Sequence, residues 1–353
     1  MGQKPYRRQS GAPTINDVAA RAGVSPMTVS RVINSVPTVR EATRERVEAA
    51  ITQLDYAPNA AARTLAGGDE MRIALLYSNP SAFYLSEVLM GCLDQASRRN
   101  VQLVVEKFSD DMTIEALVSH LKRGRVVGIV LPSLLSNSDE MIDALQTAAI
   151  SMVTIAAGNL RNDVPSVRID DLLAAREMTR HLLSLGHRRI GFIKGNPDLA
   201  DSNARFLGYQ EGLAEAAIPF DPNLVSQGYF TYRSGRDAAD QILDQDPPPT
   251  AIFASNDDMA AATVAIAHGR GLEVPGDLTV CGFDDTQLAT TIWPELTTIR
   301  QPISEMARSA IDLLVDSIRN ASADGITQHM LHDYQLVRRQ SDAPPRRKRN
   351  RLP

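Results

Sequence analysis

The sequence predicts an α/β protein: an N-terminal three-helix helix-turn-helix headpiece followed by a two-lobed, doubly wound core. Three observations carry that expectation. Residues 14–34, TINDVAARAGVSPMTVSRVIN, fit helix, sharp turn and helix in about twenty residues. From Met71 onward, short continuous apolar runs alternate with amphipathic stretches, the pattern of parallel strands covered by helices on both faces. The length of 353 residues, 43% hydrophobic and 22% charged, suits two or three soluble globular domains.

In the headpiece, Thr14 is placed to cap a first helix by accepting the free N–H of Asp17, whose negative charge suits the first turn. Ile15, Val18, Ala19 and Ala22 recur at helical spacing and form the inward face. Gly23 ends that helix, because a residue without Cβ enters the left-handed region freely. Ser25 caps a second helix, and Pro26 suits its first position, where no N–H is needed. Val29, Val32 and Ile33 turn inward, leaving Met27, Thr28, Ser30, Arg31 and Asn34 on or beside the outer face. A short helix exposing Ser, Arg and Asn is what a major-groove reader requires; an ordinary core hairpin is the competing interpretation. Thr38-Val39-Arg40-Glu41 has the form of a capping box and opens a third helix to about Leu54, with Val47, Ala50, Ile51 and Leu54 closing the small core.

Pro58 and Asn59 begin a short alanine-rich helix that Gly67-Gly68 stop. Two turns are too few for stability alone in water, so this segment is expected to be helical only when packed or bound. Leu65 beside Arg63 is consistent with a minor-groove wedge, and a plain linker is the alternative. In the core, strands are predicted at 72–77, 101–106, 126–131, 151–155, 190–194, 251–254 and 278–282. Helices are predicted at 85–98, 114–122, 172–185, 203–216, 234–243, 259–268 and 303–318, with a break between the lobes near 159–166. Ligands in such sheets sit at the carboxyl ends of strands. The expected divisions are a flexible basic arm at 1–13, the headpiece at 14–57, a hinge helix and linker at 58–68, the two-lobed core at 69–341, and a disordered basic tail at 342–353.

The charge is uneven. Residues 1–68 hold nine Lys and Arg against five Asp and Glu, a net of +4, which leaves −9 for the rest of a chain whose total is −5. A basic piece on an acidic body suggests a polyanion partner at one end. Cys92 and Cys281 lack metal-ligand or redox spacing and are expected to be reduced core thiols. The start, MGQKPYRRQSGAPT, has no apolar core of a signal peptide, and no run approaches the ~18 residues that span a bilayer. A soluble, cytoplasmic protein without membrane partners is expected.

The order of parts resembles the LacI/GalR family of bacterial transcriptional regulators. The words that carry the resemblance are DVAARAGVSPMTVSRVIN (17–34), REATRERVEAAITQLDYAPNAAARTLA (40–66), LGHRRIGFI (185–193), ASNDDMA (254–260), VCGFDD (280–285) and LTTIRQP (296–302), and the likeness runs through about residues 13–340. The resemblance implies a periplasmic-binding-protein-like effector core and a repressor that grips a near-palindromic double-stranded operator as a homodimer, controlled allosterically by a small ligand. It implies that Pro26, Met27 and Arg31 read base edges. Arg31 then forks onto a guanine, while Met27 meets a thymine methyl. Thr14, Ser25, Thr28 and Ser30 fall to phosphate or capping roles. Asn59, Ala62 and Leu65 match hinge-helix positions, with Leu65 at the inserted leucine.

For the ligand, the resemblance implies Arg205, four residues before Tyr209, as the clamping arginine. Asn256 and Asp284 match polar contacts that follow two strands, and Asp170 one at the crossover between lobes. Phe230, five residues before Gly235, matches an aromatic face, and Phe83 with Tyr84 would supply the first-lobe side. An aromatic face with Asp, Asn and Arg suits a polyhydroxylated ligand, so the effector is expected to be a sugar, with a nucleoside or purine corepressor as the alternative. Asn256 and Asp284 as helix caps, and Phe230 as core, are the competing structural roles.

An enzyme would have to use the paired acids Asp257-Asp258 or Asp284-Asp285, and GxSxG, Walker and HExxH signatures are absent. His329 and His332, three apart on a late strand, would face opposite sides and make a poor metal pair. No catalytic residue, metal or cofactor is therefore expected. A two-lobed sugar receptor without a DNA role is disfavoured by the headpiece.

Overall fold

A computed structural model describes residues 13–33, 39–56, 71–77, 81–109, 111–136, 138–156, 160–319 and 327–346. The chain divides into two compact units, Met1–Glu70 and Met71–Pro353. Asn34, Asn59, Ala62, Arg63 and Leu65, and with them the hinge helix, lie outside the described residues.

In the first unit, helices span Ile15–Ala22, Pro26–Ile33 and Glu41–Leu54. The Thr14 hydroxyl accepts the N–H of Asp17, and the Asp17 carboxylate accepts the Thr14 N–H at 2.8 Å, a reciprocal capping box. Gly23 takes φ +66° and turns the chain. Val18, Ala19, Ala22, Val29, Val32, Val47 and Ala50 form the core, to which Tyr56 adds a buried ring that the helical pattern did not reveal. Arg21 Nε donates to Gln53 Oε1 at 3.0 Å and ties the first helix to the third. The third helix differs from expectation at its start. Its N-cap is Arg40, whose side chain makes no capping bond, and Glu41 is its first residue, 3.6 Å from Arg44 Nε. Thr38 lies outside the described residues.

The second unit holds two six-stranded sheets. The strands are β1 (Arg72–Tyr77), β2 (Gln102–Lys107), β3 (Val126–Pro132), β4 (Ser151–Ile155), β5 (Ser166–Arg168), β6 (Ile190–Lys194), β7 (Val225–Gln227), β8 (Ala251–Ala254), β9 (Thr279–Asp284), β10 (Thr297–Arg300), β11 (His329–Leu331) and β12 (Gln335–Val337). They run in the orders β11-β5-β4-β3-β1-β2 and β12-β10-β9-β8-β6-β7. Every pairing is parallel except β10 with β12. Continuous apolar runs such as Ile73-Ala74-Leu75-Leu76 are fully buried because helices cover both faces.

The chain passes between sheets after β5, after β10 and between β11 and β12. The first passage therefore falls after Arg168, later than the break expected at 159–166, because the three-residue β5 is too short to stand out by periodicity. The passage after β10 returns helix Ile303–Arg319 to the first lobe, where it packs on helix Ala82–Arg99. His329 and His332 each meet their own serine, Ser166 at 2.8 Å and Ser309 at 3.1 Å. Cys92 and Cys281 are buried free thiols.

The expectation of a disordered tail from residue 342 is corrected for 342–346. Asp342 accepts from Thr297 and pairs with His181 at 2.8 Å. The Ala343 carbonyl accepts from Thr279 at 3.0 Å, and Arg346 pairs with Glu273 and Asp277. The acidic second lobe supplies partners that a composition argument cannot see. Residues 347–353 lie outside the described residues. No helix among the described residues is long and apolar enough to cross a membrane.

Candidate functional site

Two sites are built in opposite ways, one from exposed side chains of a single helix and one from buried groups of several elements. On helix Pro26–Ile33, Val29 and Val32 point into the small core, which fixes the rotation of the helix and leaves Pro26, Met27 and Arg31 exposed. Met27 retains 65% of its accessible surface. Met27 and Arg31, four apart, lie one above the other on the outer face. Ser25 and Thr28 cap: the Ser25 hydroxyl accepts the Thr28 N–H at 3.2 Å, and the two hydroxyls are 3.0 Å apart. Thr14 caps in the same way, and Ser30 is half-buried. The outer face thus offers a cationic fork beside an apolar tip.

The second site centres on Arg205, in the second turn of helix Ala200–Glu215 and 3% exposed. Its Nε donates to Asp171 Oδ1 at 2.8 Å, and its Nη1 donates to the Ser255 carbonyl at 2.6 Å. Nη1 also lies 3.5 Å from Asp284 Oδ1. The guanidinium stacks 3.7 Å above the Phe283 ring and 5.6 Å from that of Phe230. Asp201, four residues earlier on the same helix, is a third buried carboxylate near it. Burial raises the Asp284 carboxyl to about 7, against the opposing pull of Arg205 and Gln301. Burial likewise lifts Asp171 to about 6, with Arg205 again opposing.

Asp284 closes β9 with φ +110° and Asp285 follows with φ +57°, conformations that an L residue holds only under constraint. The constraint is visible. Gln301 Nε2 donates to Asp284 Oδ1 at 2.6 Å, and Arg300 Nε donates to Asp285 Oδ2 at 2.6 Å. Arg339 Nη2 lies 2.6 Å from Asp285 Oδ1, an ion pair whose alignment falls short of a hydrogen bond. The chain passage after β10 and the C-terminal segment therefore both grip the end of β9. Gln301 Oε1 and Ser202 Oγ are buried without a hydrogen-bond partner among the described residues. With its Nε2 directed at Asp284, the Gln301 amide is oriented so that Oε1 remains an acceptor.

The other sequence-derived candidates in the core are Asn256, Phe230, Asp170 and Phe83. Asn256 is buried beside the cluster but occupied: its Oδ1 accepts the Met259 N–H at 3.0 Å, and its Nδ2 donates to the Phe230 carbonyl at 3.2 Å. Phe230, at φ +59°, lays its ring over Gly195, where an added Cβ would come within 2.1 Å of the ring. Asp170 caps helix Asp171–Ser184 through the Leu173 N–H at 2.9 Å, and its neighbour Asp171 is the residue that meets Arg205. Phe83 is half-buried in the first turn of helix Ala82–Arg99. Its neighbour Tyr84 is buried, and burial followed by the fields of Asp284 and Asp201 raises its hydroxyl pKa.

Sequence reasoning missed Asp171, Asp201, Phe283 and Gln301. The signal for Gln301 was present in LTTIRQP, and that for Phe283 in VCGFDD. Choosing Asp171 over Asp170 needs the helix rotation.

The profile of bacterial regulatory proteins of the lacI family matches residues 14–59, and that of the periplasmic binding protein-like domain matches residues 179–341. Catabolite control protein A of Priestia megaterium is 33% identical over 322 residues, covering 90% of this chain and 96% of its own. The transcriptional regulator CelR, solved in complex with cellobiose, is 34% identical with a TM-score of 0.71, covering 94% of this chain and 100% of that one. The lac repressor dimer bound to operator and the anti-inducer ONPF is 28% identical with a TM-score of 0.75 at the same coverage. These matches, over a helix-turn-helix joined to a two-sheeted core, place this chain in the lacI family of bacterial regulatory proteins, as a DNA-binding transcriptional regulator rather than an enzyme.

Proposed function

We propose that the protein is a cytoplasmic repressor that grips a near-palindromic operator as a homodimer and releases or tightens that grip when a neutral sugar binds at the cluster around Arg205. The observation that carries the ligand assignment is the composition of that cluster. Asp171, Asp201 and Asp284 surround one arginine, and Gln301 Oε1 and Ser202 Oγ add further buried acceptors. Such a site favours ligands that donate hydrogen bonds, as sugar hydroxyls do, and repels phosphate or carboxylate groups. Phe230, whose ring lies 5.6 Å from the guanidinium, adds apolar ring surface for the carbon skeleton. Cellobiose in the CelR complex is a ligand of this kind.

On the DNA side, Arg31 forks onto a guanine and Met27 meets a thymine methyl, while Thr14, Ser25, Thr28 and Ser30 hold the helix ends or phosphates. Asn34, Asn59, Ala62, Arg63 and Leu65 would complete the contact, with Leu65 as the wedge at the operator centre.

Two titrations test the proposal. Fluorescence anisotropy with DNA from the protein's own promoter region should show salt-sensitive, sequence-specific binding. A thermal-shift panel of sugars, their phosphates and purines should raise the melting temperature only with uncharged sugars. Stabilisation by a purine would transfer the effector assignment to that class, and DNA binding without sequence preference would remove the repressor assignment.

A further inference from the structure

Two hydrogen bonds built to one plan join the two lobes of the core. In each, a first-lobe serine just past the carboxyl end of a strand donates to a second-lobe aspartate in the first turn of a helix. Ser81, four residues after β1, donates its hydroxyl to Asp258 Oδ2 at 2.7 Å across 177 residues. Ser133, directly after β3, donates to Asp201 Oδ2 at 3.1 Å across 68 residues. Ser81, Ser133 and Asp201 are all buried.

The first pair is reinforced electrostatically. The Ser81 hydroxyl also accepts the Tyr84 N–H and so caps helix Ala82–Arg99. Asp258 stands in the first turn of helix Asp257–Gly269. Burial raises the Asp258 carboxyl above its ordinary value, and the Ser81 hydrogen bond, with the positive ends of two helices beside it, opposes that shift. Asn256 Nδ2 reaches the same Asp258 oxygen at 3.4 Å, and Asp201 is one turn from Arg205. Each bond is thus one residue contact away from the Arg205 cluster.

We infer that Ser81–Asp258 and Ser133–Asp201 are a pair of latches that hold the lobes of this core closed. Separating the lobes must break both, and each aspartate would then be solvated on the second-lobe face alone. A hydrogen bond to an ionised acceptor biases such an equilibrium by roughly tenfold or more. The latches set the starting balance between closed and open cores, and the inference holds whatever the effector proves to be.

Hydrogen exchange on the full chain, without added ligand, tests this. Ser81→Ala removes a helix cap, so a change within 82–88 alone has a local cause. The informative peptide is in the opposite lobe. Ser81→Ala should raise exchange across 257–263 by about tenfold, and Asp258→Asn should raise it across 82–88. Ser133→Ala should act in the same way on 200–206. Ser81→Thr and Ser133→Thr, which keep the hydroxyl, should restore protection. The radius of gyration from small-angle scattering should increase in the Ser81→Ala, Ser133→Ala double variant. Unchanged exchange in the opposite lobe, in a double variant that is folded by circular dichroism, overturns the latch assignment and leaves the ligand assignment standing.

Discussion

The two recognition surfaces we propose, the outer face of helix Pro26–Ile33 for DNA and the Arg205 cluster of the core for a ligand, are constrained differently. Met27 and Arg31 stand on one helix whose rotation is fixed by Val29 and Val32, buried beneath them. Changing an exposed residue there alters what is read and leaves the fold largely alone. Arg205 is shared among Asp171, Asp284 and Ser255, which lie 34, 79 and 50 residues away. Here the recognition chemistry is also core structure, and each change is felt in stability as well as in binding. On that proposal, DNA recognition can be retuned by surface substitution, whereas the ligand site can be altered only together with the fold around it.

The largest effect should follow from Arg205→Ala, which leaves buried carboxylates without their cation. Breaking a buried pair in this way costs about 3–5 kcal/mol, so urea unfolding of the core should shift steeply and ligand-induced stabilisation should vanish. Arg205→Lys keeps the charge but loses the fork over Phe283 and should recover only part of that stability. A core that unfolds like the wild type after Arg205→Ala would break the contrast between the two regions.

Arg31→Ala should do the opposite. Its expected loss is ~1–3 kcal/mol in specific operator affinity, read by fluorescence anisotropy, with little change in melting temperature. Equal losses on operator and random DNA would mean that Arg31 holds phosphate instead of a base.

Within the headpiece, Thr14→Ala removes the capping box and should lower stability by ~1 kcal/mol, measurable as a shift in the thermal unfolding of residues 1–70 expressed alone if that unit folds independently, and otherwise in exchange rates of its amides in the full chain.

The most diagnostic effect concerns pH. Asp284 and Asp171 have folded pKa values raised to about 7 and about 6 by burial, above the ~4 expected of an unfolded aspartate. The folded core then binds more protons than the unfolded chain over that interval, so their contribution to stability is present at pH 4 and is lost as pH rises through 6 and 7. Asp17 has its pKa lowered by the Thr14 hydrogen bonds, so the headpiece contribution runs the other way and fades as pH falls below 4. Asp284→Asn should flatten the pH dependence of the core between 4 and 7 in urea titrations. A slope unchanged by that substitution would take Asp284 out of the account.

The helix-turn-helix and most of the α/β pattern were legible because their signals are local. A cap three residues before its partner, a glycine at a turn and apolar residues at spacing three or four all act within one or two turns of chain. Strands β1, β4, β6 and β8 have the bounds that their apolar runs predict, since full burial leaves little doubt where polarity begins. The three-residue strands β5, β7, β11 and β12 were not delimited, because so short a segment is defined by its neighbours' hydrogen bonds and not by its own pattern. The ordered start of the C-terminal segment was hidden for a similar reason. Its basic and proline residues resemble a tail until Glu273, Asp277 and His181 are seen beside them.

By itself the sequence determined the division into headpiece and core and the inward and outward faces of the headpiece helices, and its resemblance to the lacI family marked Arg205 and Asp284 as residues to watch. The tertiary structure decided the pairings: Asp171 instead of Asp170 on the guanidinium, Phe283 beneath it, Gln301 turned toward Asp284, and serines of one lobe bonded to aspartates of the other. The physical reason is range. Caps and periodicity act over a few residues and leave their mark in the local order of the chain, whereas a buried charge is neutralised by whichever partners the fold brings within 3 Å, and no local rule records which they are.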